Sequence, residues 1–258
     1  MRTICATRYI QPLREGGSLP AVVEGDDLGL YVLKFRGAGQ GVRALIAELV
    51  AGEIARALGL PVPEIVLAEL DADLARTEGD PEIQHLIKAS AGINIALDYL
   101  PGAVTFDPLA EQPDAALASR IVWFDAFVSN VDRTARNTNL LVWHRKLWLI
   151  DHGAALYFHH DWSNYQQRAR DPFTRIKDHV LLPLAAQLRE TDGDAAARLT
   201  PAVLDAIVQQ IPASWLAPSA EFSDAAAQRA AYVDYLLRRL REPRDFVEEA
   251  IRARSIHV

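Results

Sequence analysis

The sequence has a single cysteine, Cys5, and a single methionine at its start. One thiol makes neither an internal disulfide nor a cysteine metal cage, so a packed core must carry the fold, and a reducing compartment suits it. No apolar run approaches the roughly 18 residues of a membrane-spanning helix. The opening, Met1-Arg2-Thr3-Ile4-Cys5-Ala6, lacks the apolar core of a secretion signal. These absences lead us to expect a cytoplasmic protein. Positive charge is short as well: 27 Lys and Arg stand against 34 Asp and Glu, for a net charge of −7. The arginines are dispersed among acids, so no basic field favours nucleic acid. Gly-x-Ser-x-Gly, His-Glu-x-x-His and Gly-x-Gly-x-x-Gly are missing, which removes the serine-hydrolase, zinc-peptidase and dinucleotide signatures. What is present is a 258-residue chain, half of it apolar, enough for one large domain or two lobes sharing a cleft.

The first 100 residues read as strands around one helix. Residues 9–13, 19–23 and 28–35 have strand patterning, separated by Gly16-Gly17-Ser18 and Gly25-Asp26-Asp27. A helix is expected over residues 42–58, stopped by Gly59 and kept from resuming by Pro61 and Pro63. Residues 65–70 and 92–100 are further strands, with a polar excursion around Gly79-Asp80-Pro81 between them. Beyond residue 100 the pattern turns helical. Residues 115–128 have helical spacing, and residues 139–142 and 147–150 flank His144-Arg145-Lys146 as a short hairpin whose Leu140, Leu141, Leu149 and Ile150 should be buried. Thr200-Pro201 is a cap followed by a first-turn proline, and Ser223 precedes the run 224–241. Pro243 ends that run before a last helix over residues 244–254. The expected fold is α+β, with a sheet-rich N-terminal lobe (residues 1–100) and a helical C-terminal lobe (residues 101–258) around a cleft.

The chemistry concentrates in residues 124–153. Asp132 is followed five residues later by Asn137, and a hairpin then delivers Asp151-His152-Gly153. Phosphoryl transfer from ATP needs a carboxylate to orient the attacking hydroxyl, an acid and an amide oxygen to hold Mg²⁺, and a lysine on the phosphates. The order Asp-x-x-x-x-Asn, hairpin, Asp-x-Gly is that of protein kinases. Either element alone is weak, since Asp-x-Gly is also ordinary turn chemistry; their joint placement after an apolar helix carries the reading. Upstream, Lys34 interrupts the apolar strand Leu30-Tyr31-Val32-Leu33-Lys34-Phe35. A lysine there either snorkels to solvent or finds a partner, because burying it alone costs several kcal/mol. Glu48 and Glu53 on the following helix both qualify as that partner, and helical geometry does not separate them. Gly16, Gly17 and Ser18 form one candidate phosphate loop, and residues 37–41 a second at a helix start. Asp98, Tyr99 and Leu100 lie where the two parts join, the position of the adenine-binding hinge in kinases. His159-His160-Asp161 reads as a solvated loop, not a metal cluster.

These residues carry a resemblance. The segment from Glu48 through Leu58-Gly59-Leu60-Pro61-Val62-Pro63 resembles the helix of HipA-like kinases, in which a glutamate precedes a run ending Leu-Gly-Leu-x-Val-Pro. The Asp132-to-Asn137 loop is similar to that of HipA and the phosphatidylinositol kinases. The resemblance implies a two-lobed protein-kinase-like fold and favours Glu48 over Glu53. It also implies Asp132 as catalytic carboxylate, Asn137 and Asp151 as Mg²⁺ ligands, and Lys34 on the phosphates of ATP. Two positions depart from the family pattern: Thr134 stands where a histidine is usual, and His152 where kinases have phenylalanine. The implied activity is ATP- and Mg²⁺-dependent transfer to an acceptor hydroxyl, with a protein Ser/Thr as the expected acceptor. A small molecule or lipid head group is the alternative, and an idle nucleotide-binding module the third reading. A DNA-binding antitoxin-like partner follows from family analogy alone.

Overall fold

The first strand shifts register against the second at Ala6/Arg8 and Tyr9/Gln11, the irregularities that let a sheet curl, and five strands close into a barrel. The computed structural model describes residues 1–13, 19–216 and 221–257. Strands β1 (Thr3–Pro12), β2 (Ala21–Gly25), β3 (Leu30–Lys34), β4 (Ile65–Leu70) and β5 (Gly92–Asp98) close in the order β1-β2-β3-β5-β4. Closure comes from β1 running parallel to β4, with Thr3 opposite Leu67; the other pairs are antiparallel. Closing the sheet removes the exposed edges that invite pairing with another chain. Ile4, Val23, Tyr31, Leu33, Val66 and Ala96 share one core with Ile83 and Ile87 of a helix over Pro81–Ala89. That helix replaces the polar excursion expected there. Its Asp80 caps the Glu82 N–H, with Pro81 in the first turn.

The helix between β3 and β4, α1 (Val42–Ala57), is buried almost all round from Leu45 to Ala55. One side meets β4 and β5, and another meets a helix over Pro201–Val208. A helix enclosed in this way needs no amphipathic stripe. At Gly52 the approach to the sheet is so close that a Cβ would stand 2.4 Å from Ile65 Cδ1. Gly59, at φ 76°, ends the helix, while the Leu60 N–H turns back to the Ala55 carbonyl at 2.9 Å.

After the Pro81–Ala89 helix, α2, the chain adds β6 (Val104–Thr105), β7 (Leu140–Trp143) and β8 (Lys146–Leu149) in one small sheet. The helices are α3 (Ala115–Val128), α4 (Tyr165–Arg168), α5 (Leu188–Arg198), α6 (Pro201–Val208), α7 (Ala225–Arg239) and α8 (Asp245–His257). The β7–β8 hairpin turns on His144 and Arg145, both left-handed at φ 49° and 61°, the geometry of a two-residue primed turn. Leu140 and Leu149 are buried as expected, whereas Leu141 and Ile150 are only half-buried. Alternation puts Leu141 on the opposite face of the small sheet from Leu140. A large core runs from α1 and the ends of β4 and β5 through α3 to α8, so apolar packing joins the barrel to the helical part.

α3 leads into the candidate catalytic loop, and both its ends are fixed. Asp114 accepts from the Leu117 N–H at 2.7 Å. At the other end Arg239, almost completely buried, donates to the carbonyls of Ala126 and Phe127 at 2.8 and 2.7 Å. It also reaches the carbonyls of Ala169 and Asp171. A guanidinium there satisfies the helix's last acceptors and complements its dipole. Among the described residues no helix is long and apolar enough to cross a membrane.

Candidate active site

The loop after α3 is supported from below by a buried charge cluster. Asp125, in the last turn of α3, is fully buried; its Oδ2 accepts from Arg133 Nε at 2.6 Å and from His179 Nε2 at 3.0 Å. Its Oδ1 accepts from Asn130 Nδ2 at 2.8 Å. The Leu181 N–H donates to His179 Nδ1 at 3.0 Å, which leaves Nε2 to carry the proton given to Asp125. Burial acts to raise the Asp125 pKa, but the Arg133 charge and the His179 bond outweigh it and hold the carboxyl well below the usual range. Arg133 also donates to the carbonyl of Asn139, and at 3.4 Å to that of Ile150. One buried side chain thus ties the loop of Asp132 to the strand end that delivers Asp151.

Asp132 sits half-buried above this cluster. Its N–H bonds Asn130 Oδ1 at 3.1 Å, and its Oδ2 accepts from Asn137 Nδ2 at 2.8 Å and Asn139 Nδ2 at 3.2 Å. Thr134, in the position where the family usually has histidine, is occupied inside the loop. Its N–H donates to the Asp132 and Asn137 carbonyls at 3.0 and 2.9 Å, and its hydroxyl accepts from the Asn137 N–H at 3.3 Å.

On the barrel side, Lys34 lies on the face of β3 opposite Tyr31 and Leu33 and turns toward α1. Its Nζ donates to Glu48 Oε2 at 2.5 Å and to Asp151 Oδ1 at 2.7 Å. Glu48 is wholly buried, and its Oε2 also accepts the His152 backbone N–H at 2.8 Å. Burial opposes the Lys34 ammonium, but the two carboxylates prevail and hold its pKa above the usual lysine value. Burial likewise acts to raise Glu48; the Lys34 charge and the His152 bond bring it down to about 2. Glu53, the other candidate, is half-buried beside Arg56 at 3.5 Å and has no part in the pair. Asp151 takes a left-handed backbone, φ 54°, which is uncommon outside glycine but open to Asp.

The remaining sequence candidates fare differently. Gly16, Gly17 and Ser18 lie outside the described residues. In the second glycine loop the Gly37 N–H is taken by Ser90 Oγ at 3.1 Å and the Gly41 N–H by the Ala38 carbonyl at 2.9 Å. At the expected hinge, the N–H groups of Asp98 and Tyr99 are bonded to the carbonyls of Glu64 and Leu30, both at 2.9 Å. The Leu100 carbonyl accepts from Ala103 at 3.1 Å. The segment is thus tied into the fold, with neither of those two N–H groups open to a base. His159 corrects the solvated-loop expectation: it is fully buried in a 3-10 turn, its Nδ1 3.0 Å from the Tyr232 hydroxyl. Sequence reasoning missed Asp125, Asn130, Arg133, Asn139 and His179. Arg133 lies inside the motif and Asn130 and Asn139 flank it, but His179 lies far along the chain with no local signal.

The structure thus sets a closed barrel carrying the Lys34–Glu48 pair against a part that supplies Asp132 and Asp151. The chain matches the Helicobacter pylori proinflammatory kinase CtkA over 99% of its own length and 99% of that chain, with 14% identity and a TM-score of 0.56. It matches the Golgi casein kinase over 93% of its length and 74% of that chain, with 12% identity and a TM-score of 0.52. A Golgi casein kinase structure with Mn and ADP bound gives 95%, 74%, 12% and 0.51. At such identities the likeness is one of fold, and the fold is α+β and protein-kinase-like. No curated protein matches the chain by sequence. The pattern defining the HipA-like kinases matches residues 7–249, and the chain belongs to that family. It is a kinase, a phosphotransferase.

Proposed function

We propose that this kinase transfers the γ-phosphoryl group of ATP, with Mg²⁺, to a serine or threonine hydroxyl of a cytoplasmic protein. The observation that carries the reading is the clamp on Lys34, whose ammonium bridges buried Glu48 and half-exposed Asp151. In this account residues 1–100 form the nucleotide lobe, with the base against residues 98–100 by way of groups other than the bonded Asp98 and Tyr99 N–H, and residues 101–258 form the catalytic and helical lobe. Lys34 holds the phosphates in place of part of its bond to Asp151.

The donor set suits Mg²⁺. The Lys34 bond uses Oδ1 of Asp151, whose side chain is 45% exposed, so the second oxygen is open to a cation. Asn137 gives its Nδ2–H to Asp132 and keeps its amide oxygen, and it too is exposed. Carboxylate and amide oxygens are the hard ligands that Mg²⁺ takes, with phosphate oxygens and water completing the shell. When bound, the ion offsets charge on the phosphates.

Asp132 performs the proton step. Asn137 and Asn139 both donate to its Oδ2, which fixes the carboxylate. It orients the acceptor hydroxyl and takes its proton while that oxygen bonds to the γ-phosphorus; the bond to the β–γ bridging oxygen breaks and ADP leaves. Asn137 is exposed and Asp132 half-buried, so an extended acceptor segment can reach them. Incubation with γ-labelled ATP, Mg²⁺ and a cell lysate, followed by separation of protein, lipid and small molecules, tests the proposal. Phosphoserine or phosphothreonine in protein is expected. Label confined to lipid or small molecules overturns the acceptor class, and no label above an Asp132→Asn control overturns the reading.

A further inference from the structure

Glu48 has a second side-chain neighbour that the transfer chemistry does not use. The imidazole of His152 is fully buried beside α1, its Nδ1 3.4 Å from Glu48 Oε1. The ring packs edge-on against Phe124 at 5.7 Å between centroids, and a Cβ on Gly52 would stand 3.8 Å from Nδ1. Its other nitrogen, Nε2, is buried with no hydrogen-bond partner among the described residues. For packing alone a phenylalanine would serve this apolar socket better, because a buried polar atom without a partner is unfavourable. The ring therefore carries an orphan nitrogen together with one directed at a buried carboxylate.

We propose that His152 is a positioning residue: its ring holds Glu48, and through Glu48 the Lys34 ammonium, in register with Asp151. The inference rests on the kinase reading above. The two Glu48 oxygens divide the work. Oε2 accepts Lys34 and the His152 backbone N–H, while Oε1 faces the His152 ring. When Lys34 shifts toward bound phosphates, the Oε2 bond weakens and the ring becomes the side-chain partner that keeps Glu48 from following. The contact, 3.4 Å long, is already present without nucleotide. Because Asp151 and His152 are adjacent, the same ring couples the position of α1 to the position of Asp151.

His152→Phe and His152→Asn test this. The first keeps the contact with Phe124 and removes both nitrogens; the second keeps a donor near the position of Nδ1. For His152→Phe the melting temperature is expected to hold or rise. Amide exchange of residues 151–153 in nucleotide-free protein should quicken by about tenfold, the effect of losing one hydrogen bond to a charged group. Phosphoryl transfer should fall by about tenfold, with KM for ATP raised. His152→Asn should recover part of both losses. Wild-type exchange and transfer in His152→Phe overturn the proposal, as does a fall in melting temperature of both variants with activity lost in proportion. If the wild-type protein transfers no phosphate, the kinase reading fails on its own, and the exchange measurement still decides the role of His152.

Discussion

Arg133→Met removes the cation beneath the Asp132 loop and keeps most of its volume. Arg133 and Asp125 both have fully buried side chains, 2.6 Å apart. Losing the guanidinium leaves the Asp125 carboxylate with the Asn130 and His179 donors, and leaves the Asn139 carbonyl with the Ile150 N–H alone. Breaking one side of a buried pair costs about 3–5 kcal/mol. With roughly 2–4 °C per kcal/mol in a chain of this size, the melting temperature should drop by about 10 °C. Asp125→Asn combined with Arg133→Met removes both charges and should be less destabilised than Arg133→Met alone. The pH dependence has a fixed sign. Pairing depresses the Asp125 pKa, so its stabilisation is full above the ordinary carboxylate range and is lost as pH falls through the depressed value. The gap between wild type and Arg133→Met should therefore shrink on acidification. Urea unfolding at several pH values measures all of this. A loss under about 1 kcal/mol at neutral pH, or a gap that widens in acid, would refute the reasoning.

Lys34→Met should show a related pattern. The Glu48 pKa is lowered and the Lys34 pKa raised, so the pair stabilises fully from neutral pH to about pH 10 and its contribution declines in acid as Glu48 takes up a proton; a stability gap that grows in acid contradicts the pairing. Gly52→Ala gains helix propensity but forces a Cβ onto Ile65 Cδ1, so a net loss of about 1–3 kcal/mol is expected. Ile65→Val deletes that Cδ1, and in its background Gly52→Ala should cost less; equal costs in both backgrounds would show the contact to be unimportant. Asp151→Ala should weaken Mg²⁺-dependent nucleotide binding, read by calorimetry with and without the ion; unchanged Mg²⁺–ATP affinity removes Asp151 from the metal site.

Local chemistry was legible where it is local. α1 and its Gly59 stop, the β7–β8 hairpin and the Thr200 cap all follow from adjacent residues, and the structure has them within a residue or two. The Asp80-Pro81 signature of α2 matches that of Thr200-Pro201 and was open to the same reading. Barrel closure was not legible, because the parallel β1–β4 pair joins residues more than 60 apart and leaves no turn signal. Glu48 and Glu53 were inseparable on the helix alone, since α1 is enclosed on several sides and its pattern does not mark one face. The choice rests on where Lys34 lies in the tertiary register. For the same reason Asp125, an acid inside an almost wholly buried helix, gave no sign that His179 would come to meet it. His159 misled because adjacent polar residues look solvated until Tyr232 is brought to them.

The most direct test of the account compares Asp132→Asn with Lys34→Ala in one assay. Asp132 is to act in the transition state and Lys34 on bound nucleotide as well. Transfer of label from ATP, to protein or to water, should fall by at least about a hundredfold in Asp132→Asn, while ATP with Mg²⁺ still raises the melting temperature as it does in the wild type. Lys34→Ala should lose both transfer and that thermal shift. Full turnover in Asp132→Asn would contradict the account, because the carboxylate held by Asn137 and Asn139 would then have no part in the reaction.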